Sequence, residues 1–172
     1  MACSQPLQDV AALMLDCGCR PEEIYRLQKS DVNLDGNFLT IQEGKTKAAR
    51  RRIPLTARAK AILENRIENA KGDYLFAGGR GCKDVNRPIV KLYNAHAGAL
   101  KRTRLKKFLI YDFRHTFASR MAMAGVDLVT LAALLGHSRI QMVMRYAHPF
   151  EAHKIDAVAK LESFNAAKRK AG

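Results

Sequence analysis

With 172 residues, of which 48% are hydrophobic and 27% charged, the chain has the composition of one folded globular domain and not of a disordered or fibrous protein. Lys and Arg number 30 against 16 Asp and Glu, a formal net charge of +14, and the excess is clustered in "GKTKAARRR" (44–52), "KRTRLKK" (101–107) and "KRK" (168–170). Such a balance points to a polyanionic partner, most often nucleic acid, while no apolar run approaches a membrane span and no signal peptide stands out, so a cytoplasmic protein with no membrane partner is expected.

The first element, "LQDVAALMLDCG" (7–18), carries apolar residues at helical spacing and stops at Gly18. Pro21 suits a first helical position, with Glu22 and Glu23 in the first turn, so a short second helix is predicted to about Gln28. The pattern then changes. Asp35-Gly36 signals a turn, Phe38–Ile41 is strand-like, and Arg51–Leu55 returns as its partner, with Pro54 confining that strand to an edge or to its own end. The loop between them carries Lys45, Lys47 and Arg50. Thr56 is the predicted N-cap of a helix to Asn69, and residues 72–81 read as a short extended segment. Further helices are predicted over 85–102, 112–124 and 127–135, the last capped by Gly136, then near 139–146 and over 151–166. The fold class is therefore mainly α with a small antiparallel β-sheet (α+β), in a single domain over 1–172. Cys3, Cys17, Cys19 and Cys82 have neither zinc-knuckle nor redox-pair spacing, so free thiols and no structural metal are expected.

Several polar residues sit where the predicted elements begin and end. Arg20 lies between a helix stop and a helix start. Tyr111, Arg114 and His115 lie near the start of a helix, beside an apolar stripe of Phe113, Phe117 and Met121. His137 follows the Gly136 turn, and Tyr146 closes the next helix. Taken singly, each has an ordinary reading as a surface arginine, a capping histidine or a core tyrosine. Taken together with a hairpin lysine, they are the set that phosphodiester cleavage without a metal requires. Guanidinium forks hold non-bridging oxygens and stabilise charge in the transition state. A tyrosine, with an ordinary pKa of about 10, needs help to lose its proton as it attacks. The departing 5′-oxygen needs a general acid, a role open to a lysine of lowered pKa. The acidic residues are scattered, with no HExxH or paired DxD arrangement, so neither a metal nor another cofactor is expected.

"GCRPEE", "GKTKAARRRIPL", "YDFRHTFAS", "LLGHS" and "MRYAHP" occur in the order, and at about the spacing, of the catalytic domain of the tyrosine recombinase (phage integrase) family, which the chain resembles over roughly residues 7 to 150. The resemblance implies that Arg20 is the first catalytic arginine and Glu23 the acidic residue that supports it. It makes Lys45 the general acid, with Lys47 as the alternative, Arg114 the second arginine, His137 the histidine after the glycine, and Tyr146 the nucleophile. The implied chemistry is attack by Tyr146 to give a 3′-phosphotyrosyl link and a free 5′-hydroxyl, reversed by the 5′-hydroxyl of a second strand, with no ATP or metal. One departure stands out: the usual H-x-x-R has its histidine three residues before the second arginine, and here that position is Tyr111. His115 is not expected to substitute, being adjacent to Arg114. Arg145 and His148 are expected at the DNA backbone or the surface.

The resemblance further implies double-stranded DNA as partner, a homotetramer on synapsed DNA, a monomer as the isolated fragment, and a prokaryotic or phage source. The family's N-terminal helical DNA-binding domain has no counterpart before residue 7, so a catalytic-domain fragment of weak DNA affinity is expected. Residues 151–172 would be the tail helix, packed on a neighbouring protomer or on its own domain. Two other readings stay open: a catalytically silent DNA-binding module of the same fold, and a type IB topoisomerase-like enzyme. The intact Arg20, Lys45, Arg114, His137 and Tyr146 favour a site-specific recombinase.

Overall fold

The computed structural model describes residues 3–44, 47–78, 84–147 and 151–170. The chain runs α1 (Gln5–Cys17), α2 (Pro21–Tyr25), β1 (Val32–Asn33), β2 (Phe38–Ile41), β3 (Arg51–Pro54), α3 (Ala57–Asn69), α4 (Tyr93–Thr103), α5 (Asp112–Met123), α6 (Leu128–Leu135), α7 (Gln141–Met144) and α8 (Glu151–Lys170). It is mostly helical with one antiparallel sheet of order β1-β2-β3, as the periodicities predicted.

In α1 the residues Leu7, Val10, Leu13, Met14 and Cys17 fall on one helical face and are buried. Val10, Leu13, Met14 and Cys17 meet Leu39, Ile41 and Ile53 from the sheet and Ala59 and Leu63 from α3, forming a first core. Each such aliphatic side chain removed from water contributes about 1.5–3 kcal/mol. A second core gathers Phe117 and Ala118 of α5, Leu131, Ala132 and Leu135 of α6, and Val143 of α7. The two meet at Gly18, the left-handed cap of α1 (φ +63°), where an added Cβ would lie 2.4 Å from the Phe117 ring. Only glycine fits both the backbone and the space.

The structure differs from the sequence reading in five places. α2 stops at Tyr25, short of Gln28, because the Gln28 N–H donates to the Asp31 carboxylate and Gln28 bridges to Tyr74. The two-residue β1, unpredicted, pairs Val32 with Leu39 and Asn33 with Phe38. α4 begins at Tyr93 and not at 85, because the preceding segment lies along residues 76–78: Ala77 bridges to Pro88 and the Ile89 N–H donates to the Phe76 carbonyl. The helix near 139–146 narrows to Gln141–Met144, leaving Tyr146 in the turn beyond it. α8 extends to Lys170, past the predicted end at 166. Its side chains from 154 to 166 are all exposed, among them Ile155, Val158, Leu161 and Phe164.

Candidate active site

Arg114 stands at the seam between the two cores. Its side chain is 2% exposed, an unusual place for a guanidinium, and backbone carbonyls hold it there. Nη1 donates to the Gly18 carbonyl at 2.6 Å and Nη2 to the Leu135 carbonyl at 2.5 Å. Both acceptors lie at helix C-termini, of α1 and α6, where carbonyls lack intrahelical partners and the helix dipole is negative. The ends of two helices thus do part of the work of a counter-ion.

Glu23 does the rest. Arg51 forks onto it, Nη1 to Oε1 at 3.0 Å and Nη2 to Oε2 at 2.8 Å, with both side chains nearly buried. Arg20 donates its Nη1 to Oε1 at 2.9 Å and its backbone N–H to Oε2 at 2.7 Å, and Arg114 Nη1 stands 3.9 Å from Oε2. Burial works to raise the Glu23 carboxyl, but the hydrogen bonds and charge of Arg51, with Arg20, outweigh it and hold the carboxyl below its ordinary range. Three guanidiniums therefore share one carboxylate. The local excess of positive charge is that of an anion site.

Arg51 was read in the sequence only as part of a strand. Its Nε donates to the Leu134 carbonyl at 2.7 Å and its Nη1 to the Ala49 carbonyl at 2.8 Å, which ties β3 to the end of α6. The signal was available: Arg51 and the buried Ile53 alternate onto the same face of β3, so a charged residue stood at an inward position. Gly136 makes room for it. At φ +65°, an added Cβ would come 2.7 Å from Arg51 Nη1.

His137 follows Gly136 and places Nε2 3.1 Å from Arg114 Nη2. Burial, then Arg114, Arg20, Arg51 and Arg145, push its pKa down to about 4, so the ring is neutral near pH 7. With Nε2 facing a donor, the ring proton falls on Nδ1, which is buried without a hydrogen-bond partner among the described residues. Burial, with Arg20 next, lowers the Arg114 pKa to about 10, which leaves it charged.

Tyr146 and His137 line one recess of about 280 Å³, with Tyr111, Arg114, His115 and Arg145. A larger cleft holding Arg20, Glu23 and Glu43 adjoins it at His137 and Met142. The Tyr146 hydroxyl lies 2.5 Å from His115 Nδ1, and the Arg145 guanidinium lies over the Tyr146 ring at 5.7 Å. Burial raises the Tyr146 pKa against the opposing charges of Arg145 and Arg114. The structure thus brings together Arg20, Glu23, Tyr111, Arg114, His115, His137 and Tyr146, and adds Arg51 and Arg145. Lys45 and His148 lie outside the described residues; Lys47 opens a 3₁₀ turn ahead of β3. Among the described residues, no three His, Cys, Asp or Glu side chains converge as metal ligands would.

The chain is similar to known proteins over most of its length. The model of the phage integrase family matches residues 3–153. A tyrosine recombinase of Pseudothermotoga lettingae is 32% identical over 158 residues, covering 87% of this chain and 52% of the relative. The integrase of Salmonella phage P22 is 28% identical over 169 residues, covering 94% and 44%. The chain therefore spans about half the length of these curated relatives. Among solved structures, the Tn1549 transposon integrase in complex with circular intermediate DNA superposes with a TM-score of 0.76 at 22% identity, covering 91% of this chain and 60% of that one. The catalytic domain of bacteriophage HP1 integrase gives a TM-score of 0.64 at 27% identity, covering 88% and 79%.

Proposed function

The chain belongs to the phage integrase family, and we propose that it is the catalytic domain of a site-specific DNA recombinase that cuts and rejoins strands through a 3′-phosphotyrosyl link. The observation that carries this reading is the charge imbalance at the seam: Arg20, Arg51 and Arg114 around the single carboxylate of Glu23, with a tyrosine hydroxyl in the adjoining recess. A phosphodiester is an anion that repels nucleophiles, and fixed guanidiniums remove that barrier without reorganising during the reaction. In this reading Arg20 and Arg114 hold the non-bridging oxygens, with His137 beside them, its Nε2 3.1 Å from Arg114 Nη2. Arg51 and Glu23 keep the arginines in place. Tyr146 attacks phosphorus, and Lys45, or Lys47 in its stead, protonates the departing 5′-oxygen. The 5′-hydroxyl of a partner strand reverses the sequence, so bond energy is conserved in the phosphotyrosyl ester.

The remaining features fit double-stranded DNA as the partner. The net charge of +14 makes binding steeply salt-dependent. The Tn1549 integrase superposed above was solved on DNA. The exposed apolar residues of α8, Ile155, Val158, Leu161 and Phe164, are area that a neighbouring protomer would cover, consistent with a homotetramer on synapsed DNA and a monomer when alone. A silent DNA-binding module would have no use for a nucleophile beside the anion site.

The test is a nicked suicide substrate incubated with the protein in excess EDTA. A covalent protein–DNA adduct is expected, and Tyr146→Phe should abolish it while leaving DNA binding intact. An adduct that survives Tyr146→Phe, or none with the unaltered chain, would refute the reading.

A further inference from the structure

The contact between Tyr146 and His115 is not accounted for by the family motif. His115 of α5 lies four residues after Tyr111, the N-cap of that helix, so the two rings share one face, with centroids 5.3 Å apart. The Tyr146 ring lies at 6.0 Å from His115, and its hydroxyl is at 2.5 Å from Nδ1. Where the usual motif has a histidine, this chain has Tyr111, and an imidazole one helical turn further along reaches the nucleophile. The titratable and charged groups around that imidazole are Tyr111 at the N-cap of α5, Asp112 and Arg114 from α5, His137 from the turn beyond α6, and Arg145 and Tyr146 from the turn beyond α7.

Burial, then Arg145 and Arg114, lower the His115 pKa against the opposing pull of Asp112, so the ring is neutral near pH 7. A neutral imidazole presents one acceptor nitrogen. Tyr146, with its pKa raised by burial, enters the reaction as a phenol, and its proton lies on the line to Nδ1. We propose, on the premise that Tyr146 is the nucleophile, that His115 is a catalytic residue whose Nδ1 takes the phenolic proton as the oxygen attacks. The Oη–H bond breaks and its proton passes to Nδ1. The Oη–P bond forms, and the P–O5′ bond breaks as the lysine donates a proton to the leaving oxygen. In rejoining, the incoming 5′-hydroxyl returns a proton to the lysine, and the imidazolium gives its proton back to the departing phenolate oxygen.

The experiment is single-turnover adduct formation on the nicked substrate from pH 5 to 9, with the unaltered chain, His115→Ala, His115→Gln and a chain carrying difluorotyrosine at position 146. The unaltered rate should rise with pH and level off below about pH 6.5, the ordinary histidine value. Loss of a general base costs about 10²–10⁴-fold, so both His115 variants should fall by at least about 10²-fold and their rates should go on rising at high pH. Difluorotyrosine, a more acidic phenol, should restore much of the loss in His115→Ala, which a merely misfolded variant would not show. Glutamine keeps a polar side chain of similar reach, so equal losses in the two variants, with unchanged unfolding midpoints, support the assignment. A His115→Ala rate within about threefold of the unaltered chain at every pH overturns it, as does a faster rate, which would mean that the contact parks the nucleophile. If the unaltered chain forms no adduct, the recombinase reading itself fails, and this inference with it.

Discussion

Glu23→Gln removes one negative charge and leaves the volume almost unchanged. In the folded protein Glu23 accepts two hydrogen bonds from Arg51 at 3.0 and 2.8 Å, with 9% of the carboxylate side chain and 6% of the arginine exposed. Removing one partner from a buried pair costs about 3–5 kcal/mol, because the survivor is left as an uncompensated charge. Glutamine keeps one acceptor oxygen, so the lower end, about 3 kcal/mol, applies. Arg20 and Arg114 lose their shared counter-charge at the same time. Against a total stability of about 5–15 kcal/mol, that is a large fraction. Urea unfolding followed by circular dichroism measures it: with m of about 2–3 kcal/mol/M, the midpoint should fall by about 1 M with m unchanged. Arg51→Met in the Glu23→Gln background removes both partners, so the double variant should be more stable than the sum of the single losses implies, by about 2 kcal/mol. A midpoint shift below about 0.2 M, or strict additivity of the two substitutions, would refute Glu23 as the hub that holds the arginines.

Gly136→Ala should destabilise by about 1–3 kcal/mol from backbone strain alone at φ +65°, and further because the new Cβ meets Arg51 at 2.7 Å. Gly125→Ala is the control, with φ +81° but nothing within 4 Å of the Cβ, and thermal unfolding of the pair should rank Gly136→Ala as the more damaging. The His137 pKa lies at about 4, below the ordinary 6.5, so between those pH values the unfolded chain binds the proton and the folded chain does not. Stability should therefore fall as pH drops from about 6.5 towards 4, and His137→Asn should flatten that part of the curve when urea midpoints are measured against pH. For the lysines, a 5′-bridging phosphorothiolate supplies a leaving group that needs no acid. The variant, Lys45→Ala or Lys47→Ala, whose cleavage defect it rescues marks the general acid, with Lys45→Ala the expected one.

The helices, the β2–β3 hairpin and their cap residues were readable because local signals agree with tertiary packing: Gly18, Thr56 and Gly136 stand where the structure ends or begins helices. β1 was not, since two residues carry no alternation. The start of α4 was misjudged because the segment before it is fixed by contacts with residues 76–78, remote in sequence. Within the site, the convergence of Arg20, Arg114, His137 and Tyr146 came from recognising motifs, and no periodicity would have placed residues so far apart together. Arg51 lies within the predicted returning strand, and its charge at an inward position, on the face of the buried Ile53, is the feature that marks it. Adjacency to Arg114 says little about His115. Helical periodicity, which puts it one turn beyond Tyr111, was the better guide to what it touches.

The most direct measurement is the chemical identity of the link. The adduct from the nicked substrate is digested with nuclease and protease, and the modified peptide is sequenced by tandem mass spectrometry, while the released strand is offered to a kinase for end-labelling. A nucleotide joined through its 3′-phosphate to Tyr146, with a released strand that labels without prior dephosphorylation, is the expected result. A nucleotide on any other residue, or a released strand that bears a 5′-phosphate, would contradict it.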